Sequence, residues 1–412
     1  MKTIQGSCDV LMKAIMRDAV AAFSGGRWVV PGMAVLLLFA GCAELKVDRP
    51  GAASEADWLT EGDSGQREQV TRSALEPPLE EVWVYNANAG FGPGSPLILG
   101  KTILVGTRKG EIHAIDFETG KRKGTEGFGD VVDGTPLIED GVLFIPVGWG
   151  RQAVYAYDLA RGQTRWKRKG APISTGLLAL EDAVVGVDAE ARVRKYAMDD
   201  GAILWEQALG DRVTVHATPV LTDGVIVIAD DQGRIVALDP ADGSTQWTKA
   251  LASPVYTSIA AAEGTLFVPS TRGRFFALDA ARGHIRWQVA LPDTTVRFTA
   301  PAVDGSLVVV GASDGALRAF DAATGTQRWL FQDAAALTAT PLLTPSAVYI
   351  GNMGHSLFAV DRQTGALEWE GELRGRVKSA LAAREGYLVV LSEPRFVYLF
   401  KSSSASSDVA SP

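Results

Sequence analysis

From about residue 79 to residue 400 the chain is written in short apolar runs that alternate with polar residues, each run cut off by an Asp- and Gly-containing turn. Ile235-Val236-Ala237-Leu238 ends at Asp239, whose carboxylate can accept backbone N–H bonds in a turn. Gly243 then supplies the positive φ that closes a hairpin, and Trp247 opens the next strand. Upstream, Pro219-Val220-Leu221 and Val225-Ile226-Val227-Ile228 flank Thr222-Asp223-Gly224 and predict a second hairpin. No part of the region sustains the 3.6-residue period of a helix.

The same unit recurs. Its tryptophans are Trp166, Trp205, Trp247, Trp287, Trp329 and Trp369, with steps of 39, 42, 40, 42 and 40 residues. The turn glycines Gly120, Gly162, Gly201, Gly243, Gly283, Gly325 and Gly365 keep the same pace. Four antiparallel strands in about 41 residues match one blade of a β-propeller. Seven units carry the third-strand hairpin, and an eighth third strand, Arg395 to Phe400, has no outer strand after it. Trp83 lies 41 residues before Gly124, where the first unit's Trp would stand. The fold expected is therefore all-β, an eight-bladed propeller of four-stranded antiparallel blades over residues 79–400. Its N-terminal strand pairs with the last blade, which removes an open sheet edge. Seven blades is the alternative. The repeated tryptophans, Trp83 included, read as packing between blades rather than as a ligand cage.

The ends follow different rules. Lys13, Arg17 and Arg27 precede a 12-residue apolar run from Val29 to Ala40, and Leu38-Phe39-Ala40-Gly41-Cys42 follows. A membrane-spanning helix needs about 20 residues, so the run suits the core of a signal peptide over residues 1–41. Residues 42–78, with scattered Gly, Pro, Ser and Glu, read as a flexible tether. Residues 401–412 read as a frayed tail.

Charge and composition narrow the chemistry. With 40 Lys and Arg against 48 Asp and Glu, the net charge of −8 argues against a generic nucleic-acid binder. The 2 cysteines, Cys8 and Cys42, cannot build a zinc ribbon or a disulfide framework. His113, His216, His284 and His355 are scattered without metal-ligand spacing, and no G-x-S-x-G or phosphate-cradle context is present, so neither a metal nor a cofactor is expected.

The signal segment resembles that of bacterial lipoproteins, which implies that Cys42 becomes the lipid-bearing first residue and that, with Ala43 after it, the chain goes to the outer membrane. The unit Ala319-Phe320-Asp321-Ala322-Ala323-Thr324-Gly325-Thr326-Gln327-Arg328-Trp329 resembles the PQQ-type propeller repeat. Two functions share that repeat: quinoprotein dehydrogenases, with pyrroloquinoline quinone and calcium at the propeller centre, and the lipoprotein family of outer-membrane protein assembly, BamB. The bare propeller behind a lipid signal is similar to the second. The resemblance implies a non-catalytic scaffold at the periplasmic face of the outer membrane. Its partners would be the barrel-forming subunit of the β-barrel assembly machinery and nascent outer-membrane proteins. The alternatives are a quinone-dependent oxidoreductase and a generic periplasmic binding module.

The loops joining strands 2 and 3, and those crossing between blades, share one face of a propeller. Sorted this way, Arg108, Lys109, Arg151, Lys169, Arg192, Arg212, Arg234, Arg272, Arg274, Arg297, Arg374, Arg376 and Arg395 gather on that face, diluted by Asp residues, and the opposite face is acidic. Asp231-Gln232-Gly233-Arg234 resembles a partner-contacting turn of the assembly family, which carries over Asp231 and makes Arg234 its companion candidate.

Overall fold

The computed structural model describes Leu45, Val47, Ser54 and residues 56–403. The signal segment and Cys42 lie outside the described residues. Eight antiparallel sheets run in sequence order: 97–127, 137–169, 178–208, 220–250, 260–290, 302–332, 342–372, and a last sheet of 376–402 joined by Leu79–Asn86. Seven have four strands. The eighth carries an additional two-residue strand, Arg376–Val377, beside the long Tyr387–Glu393. Its outer member is the N-terminal strand, paired from Leu79 opposite Ser402 to Asn86 opposite Phe396. The ring thus has eight blades, closed where the sequence places the closure. Pairing through Ser402 extends the last blade past residue 400 and into the segment read as tail.

Burial follows the position of a strand within its blade. The second and third strands are covered by blades on both sides and read as nearly unbroken apolar runs, such as Ala183–Val187 and Thr265–Pro269, all buried. Outer strands such as Thr245–Ala250 alternate exposed and half-buried residues. The turn Asp works as its chemistry suggests. Asp321 Oδ1 accepts from the N–H groups of Ala323 and Thr324 and from the Thr324 hydroxyl, and Arg328 donates to Oδ2 at 2.6 Å. The Arg328 hydrogen bond and then those from Thr324 hold its pKa at about 2.

Each repeated Trp joins its blade to the next. The Trp287 ring lies so close to Gly325 that a Cβ there would sit 2.7 Å from the indole, and its N–H donates to the Ala322 carbonyl at 2.8 Å. Trp166, Trp205, Trp247 and Trp329 repeat this on Gly201, Gly243, Gly283 and Gly365, each N–H reaching the carbonyl three residues before the glycine. Trp83, from the closing strand, does the same on Gly120 and Phe117. The glycine is needed twice over: φ is positive, 73° at Gly325, and the indole occupies the space a side chain would take. Two of the eight junctions depart. Gly124 stands where the first blade's Trp would be, opposite Ala114. Trp369 packs edge-on against Phe400 of the last blade, which has no turn glycine to receive it.

The segment read as a tether corrects the sequence expectation. Residues 56–71 form a strap against the inner edges of the blades, where the first strands leave backbone groups unpaired. The carbonyls of Trp58, Leu59, Gly65, Gln66, Glu68 and Gln69 accept from the N–H groups of Ile98, Ile138, Leu221, Ala261, Val303 and Leu343, one in each of six inner strands. The remaining two blades are reached by side chains. Arg67 Nη2 donates to the Leu177 carbonyl at 2.7 Å, and Gln69 Nε2 to the Leu381 carbonyl at 2.6 Å. Asp57 pairs with Arg384 at 3.2 Å and accepts from the Gly100 N–H. Trp58 and Leu75 are buried in the core of the closing blades, and Leu45 is buried between the first two. One short segment thus touches all eight blades through hydrogen bonds that a solvated linker would not make. Among the described residues the only helical turn, Glu61–Asp63, lies in this strap, and no helix is long and apolar enough to cross a membrane.

Candidate docking face and axial well

On the face of the 2–3 loops and the inter-blade crossings a well of about 290 Å³ opens on the propeller axis. Its wall carries the small residues two positions before successive inner strands, Thr135, Gly176, Thr218, Ser258, Ala300 and Thr340, four of which bear hydroxyls. Neighbouring blades are bonded here. The Ser95 N–H donates to Thr135 Oγ1 at 2.9 Å, Gly176 N–H to Thr218 Oγ1 at 3.0 Å, and Thr218 N–H to Ser258 Oγ at 3.4 Å. The strap supplies the floor. Glu61 accepts from the hydroxyls of Thr218 at 2.7 Å and Ser258 at 2.9 Å. Beneath it the buried Arg67 guanidinium donates to Thr60 Oγ1 and the Glu61 carbonyl. Burial pushes its pKa down, opposed by the charge of Glu61.

At the rim Tyr256 is half exposed and its ring lies 5.1 Å from that of His216. Farther out, Trp149 at the tip of the second blade's 2–3 loop is 75% exposed, the most exposed large hydrophobic residue of the described chain. Loops of the same face carry Arg151, Arg212, Arg272 and Arg297, all exposed and none in an ion pair among the described residues. Arg374 and Arg395 flank the Phe396 ring at 5.5 and 5.6 Å. Exposed Trp and Tyr among unpaired Arg is the composition of binding hot spots.

Other expected cations are already used within the fold. Arg234 donates to Asp230 at 2.9 Å and to the Leu209 carbonyl at 2.6 Å, and Asp230 is buried. Asp231 Oδ1 accepts from the Thr214 N–H, and the Asp231 N–H donates back to the Thr214 carbonyl, which ties the 2–3 loop to the crossing beside it. Both candidates lie on the expected face but hold its loops in shape. Arg108, Arg192 and Arg376 are likewise paired, with Asp133, Glu206 and Glu393. Recurrent Asp-x-x-x-Arg spacing, at Asp230/Arg234 and Asp314/Arg318, was the sequence signal for this internal use. Trp149 was visible only as a Trp between two glycines, and Glu61 carried no signal.

The axial position is where the quinoprotein dehydrogenases hold their cofactor. Here the strap fills part of that space, and the floor presents a carboxylate to any acidic quinone. Among the described residues no three His, Cys, Asp or Glu side chains group as metal ligands. The residues present do not fit a quinone with calcium.

Comparison with known proteins agrees with the architecture. A family model described as outer membrane protein assembly factor BamB matches residues 66–186, 150–257 and 231–404. The BamB of Nitrosomonas eutropha is 29% identical over 201 residues, 48% of each chain, and that of Escherichia coli K12 is 27% identical over 164 residues, 37% of this chain and 41% of its own. The chain thus matches about half the length of such curated relatives. Among solved structures, BamB from Moraxella catarrhalis superposes with a TM-score of 0.67 at 18% identity, covering 79% of this chain and 100% of its own. A quinohemoprotein alcohol dehydrogenase from Comamonas testosteroni gives 0.72 at 15% identity, covering 86% and 82%. At such identities a structural likeness shows the fold alone. The family match extends over most of the chain, and on that ground the protein belongs to the family of outer membrane protein assembly factor BamB.

Proposed function

We propose that this chain is a non-catalytic scaffold of the β-barrel assembly machinery, anchored by lipid on Cys42 at the periplasmic face of the outer membrane. It engages the barrel-forming subunit, and extended segments of nascent barrel proteins, through the face that carries the axial well. The observation that carries this reading is the composition of that face. Trp149 and Tyr256 are exposed on the same face as unpaired arginines, while Arg108, Arg192, Arg234 and Arg376 are engaged in ion pairs with neighbouring residues. Apolar anchors with planar, multi-donor cations suit a protein partner. Family membership supports the same reading.

The test is recovery of the tagged protein from solubilised envelopes. The barrel-forming subunit should co-purify with the parent and fall at least about tenfold with Trp149→Ala plus Arg297→Glu, in keeping with hot-spot losses above 1.4 kcal/mol. Recovery without any assembly subunit would favour a generic binding module. An absorbance scan with added quinone and calcium addresses the oxidoreductase reading, and a saturable cofactor spectrum with turnover would sink the scaffold.

A further inference from the structure

The axial well contains a carboxylate that no cation of the described residues contacts directly. Glu61 stands at its floor, half-buried, and among the described residues no Lys, Arg or His reaches its carboxylate as an ion pair. Arg67, the cation beneath it, directs its hydrogen bonds to Thr60, to the Glu61 main-chain carbonyl and to Leu177, and none to the carboxylate. At the rim, Arg108 is paired with Asp133 at 2.9 Å and Lys378 with Glu393 at 3.0 Å. His216 stacks against Tyr256.

What holds Glu61 is a pair of hydroxyls, one to each oxygen, and those hydroxyls accept in turn from backbone N–H groups of the neighbouring blades. The carboxylate is therefore fixed in direction and keeps lone pairs free toward the well. Two neutral donors and the field of Arg67 hold the carboxylate, and neither occupies its remaining lone pairs. A cation in the well would complete it. A calcium-like ion needs six or more oxygen ligands, several of them carboxylates, and of the two carboxylates lining the well Asp133 is already paired with Arg108. An ammonium or guanidinium needs one carboxylate and a set of acceptors, which the hydroxyl ring provides. The volume of 290 Å³ suits a side chain or a small molecule.

We propose that the axial well binds a protonated amine or guanidinium, with Glu61 as its counter-ion and the hydroxyls of Thr135, Thr175 and Thr340 as further acceptors. This does not depend on the assembly role. The cation comes either from a basic side chain of a docked polypeptide or from a small soluble amine.

The experiment is calorimetric titration of the full-length protein in detergent with putrescine and with N-acetyl-lysine amide, using 1,6-hexanediol as an uncharged control. Saturable binding with a Kd of about 1 mM is expected for the amines and none for the diol. Glu61→Gln should weaken amine binding at least about tenfold, the range of a charge-assisted contact. Because Glu61→Gln perturbs the strap as well, Thr340→Lys provides a second reading. An ammonium built into the wall should abolish probe binding and raise the melting temperature. Tighter binding of the lysine derivative assigns the cation to a polypeptide, and tighter binding of putrescine assigns it to a soluble amine; either supports the proposal. No saturable heat up to about 50 mM, equal binding of the diol, or unchanged affinity in folded Glu61→Gln would overturn it. So would preferential binding of calcium.

Discussion

The contact of Trp287 on Gly325 lends itself to a double-mutant cycle. Trp287 is 9% exposed, and its N–H bond to the Ala322 carbonyl would be lost with the ring. Trp287→Ala should therefore cost about 4 kcal/mol, from lost burial, the cavity and the orphaned carbonyl. Gly325→Ala has two separable costs. Holding an alanine at φ 73° costs about 1 kcal/mol, and a Cβ 2.7 Å from the indole adds about 2 kcal/mol of overpacking. In the double variant the indole is gone and only the backbone cost remains. The two single changes should then sum to about 7 kcal/mol, against about 5 kcal/mol for the pair together, a coupling of about 2 kcal/mol. Urea unfolding followed by far-ultraviolet circular dichroism reads this as midpoint shifts at constant slope. Additivity within about 0.5 kcal/mol would refute the claim that the glycine exists to receive the indole.

Other expectations follow from the strap and the charges. In the native protein Arg67 should resist trypsin for as long as the propeller stays folded, because its side chain is 4% exposed; rapid cleavage there by mass spectrometry would restore the flexible tether. Asp63 has its pKa pushed up to about 7 by desolvation and by the carboxylates of Asp57 and Glu68, although its surface is largely open. A raised folded-state pKa favours the protonated form, so its contribution is present at acid pH and lost as pH rises through about 7. Asp63→Asn, which tolerates the left-handed backbone at that position, should melt higher than the parent at pH 8 and not at pH 4. His113 has the opposite sign. Desolvation lowers its pKa while Tyr85 and Glu111 hold its ring at the ring closure, so stability is lost as pH falls below the unfolded value of 6.5. The fall in melting temperature from pH 7 to pH 5 should shrink in His113→Gln. Finally, Arg234→Glu should lower the melting temperature through the buried Asp230, whereas Arg297→Glu, which is exposed and unpaired, should leave it unchanged.

The blades were legible in the sequence because their determinants are local and repeated. An alternating strand, a turn Asp, a glycine at positive φ and a Trp four residues on recur at a fixed period, and each physical role stays within one or two neighbouring units. The ring closure was legible because Trp83 kept the period when its blade did not. The strap was not legible, since residues 56–71 hold the ring together mainly through carbonyl oxygens, which every sequence possesses and no composition reveals. Its polar, glycine-containing sequence fits a linker equally well until the unpaired inner edges of the blades are in view. The docking face was half legible. Its side of the disc followed from the topology, but Asp231 and Arg234 could not be separated from free charges without seeing Asp230 and Thr214 beside them. Trp149 stands out by its exposure, which a sequence does not state.

On the proposed function, the protein docks its partner through the face bearing Trp149. A photo-crosslinking residue placed at position 149, and another at Asp223 on the opposite face, tests it in living cells. A crosslink to the barrel-forming assembly subunit is expected from position 149 and none from position 223. Crosslinking from position 223 alone, or from neither position with the protein correctly anchored, would contradict it.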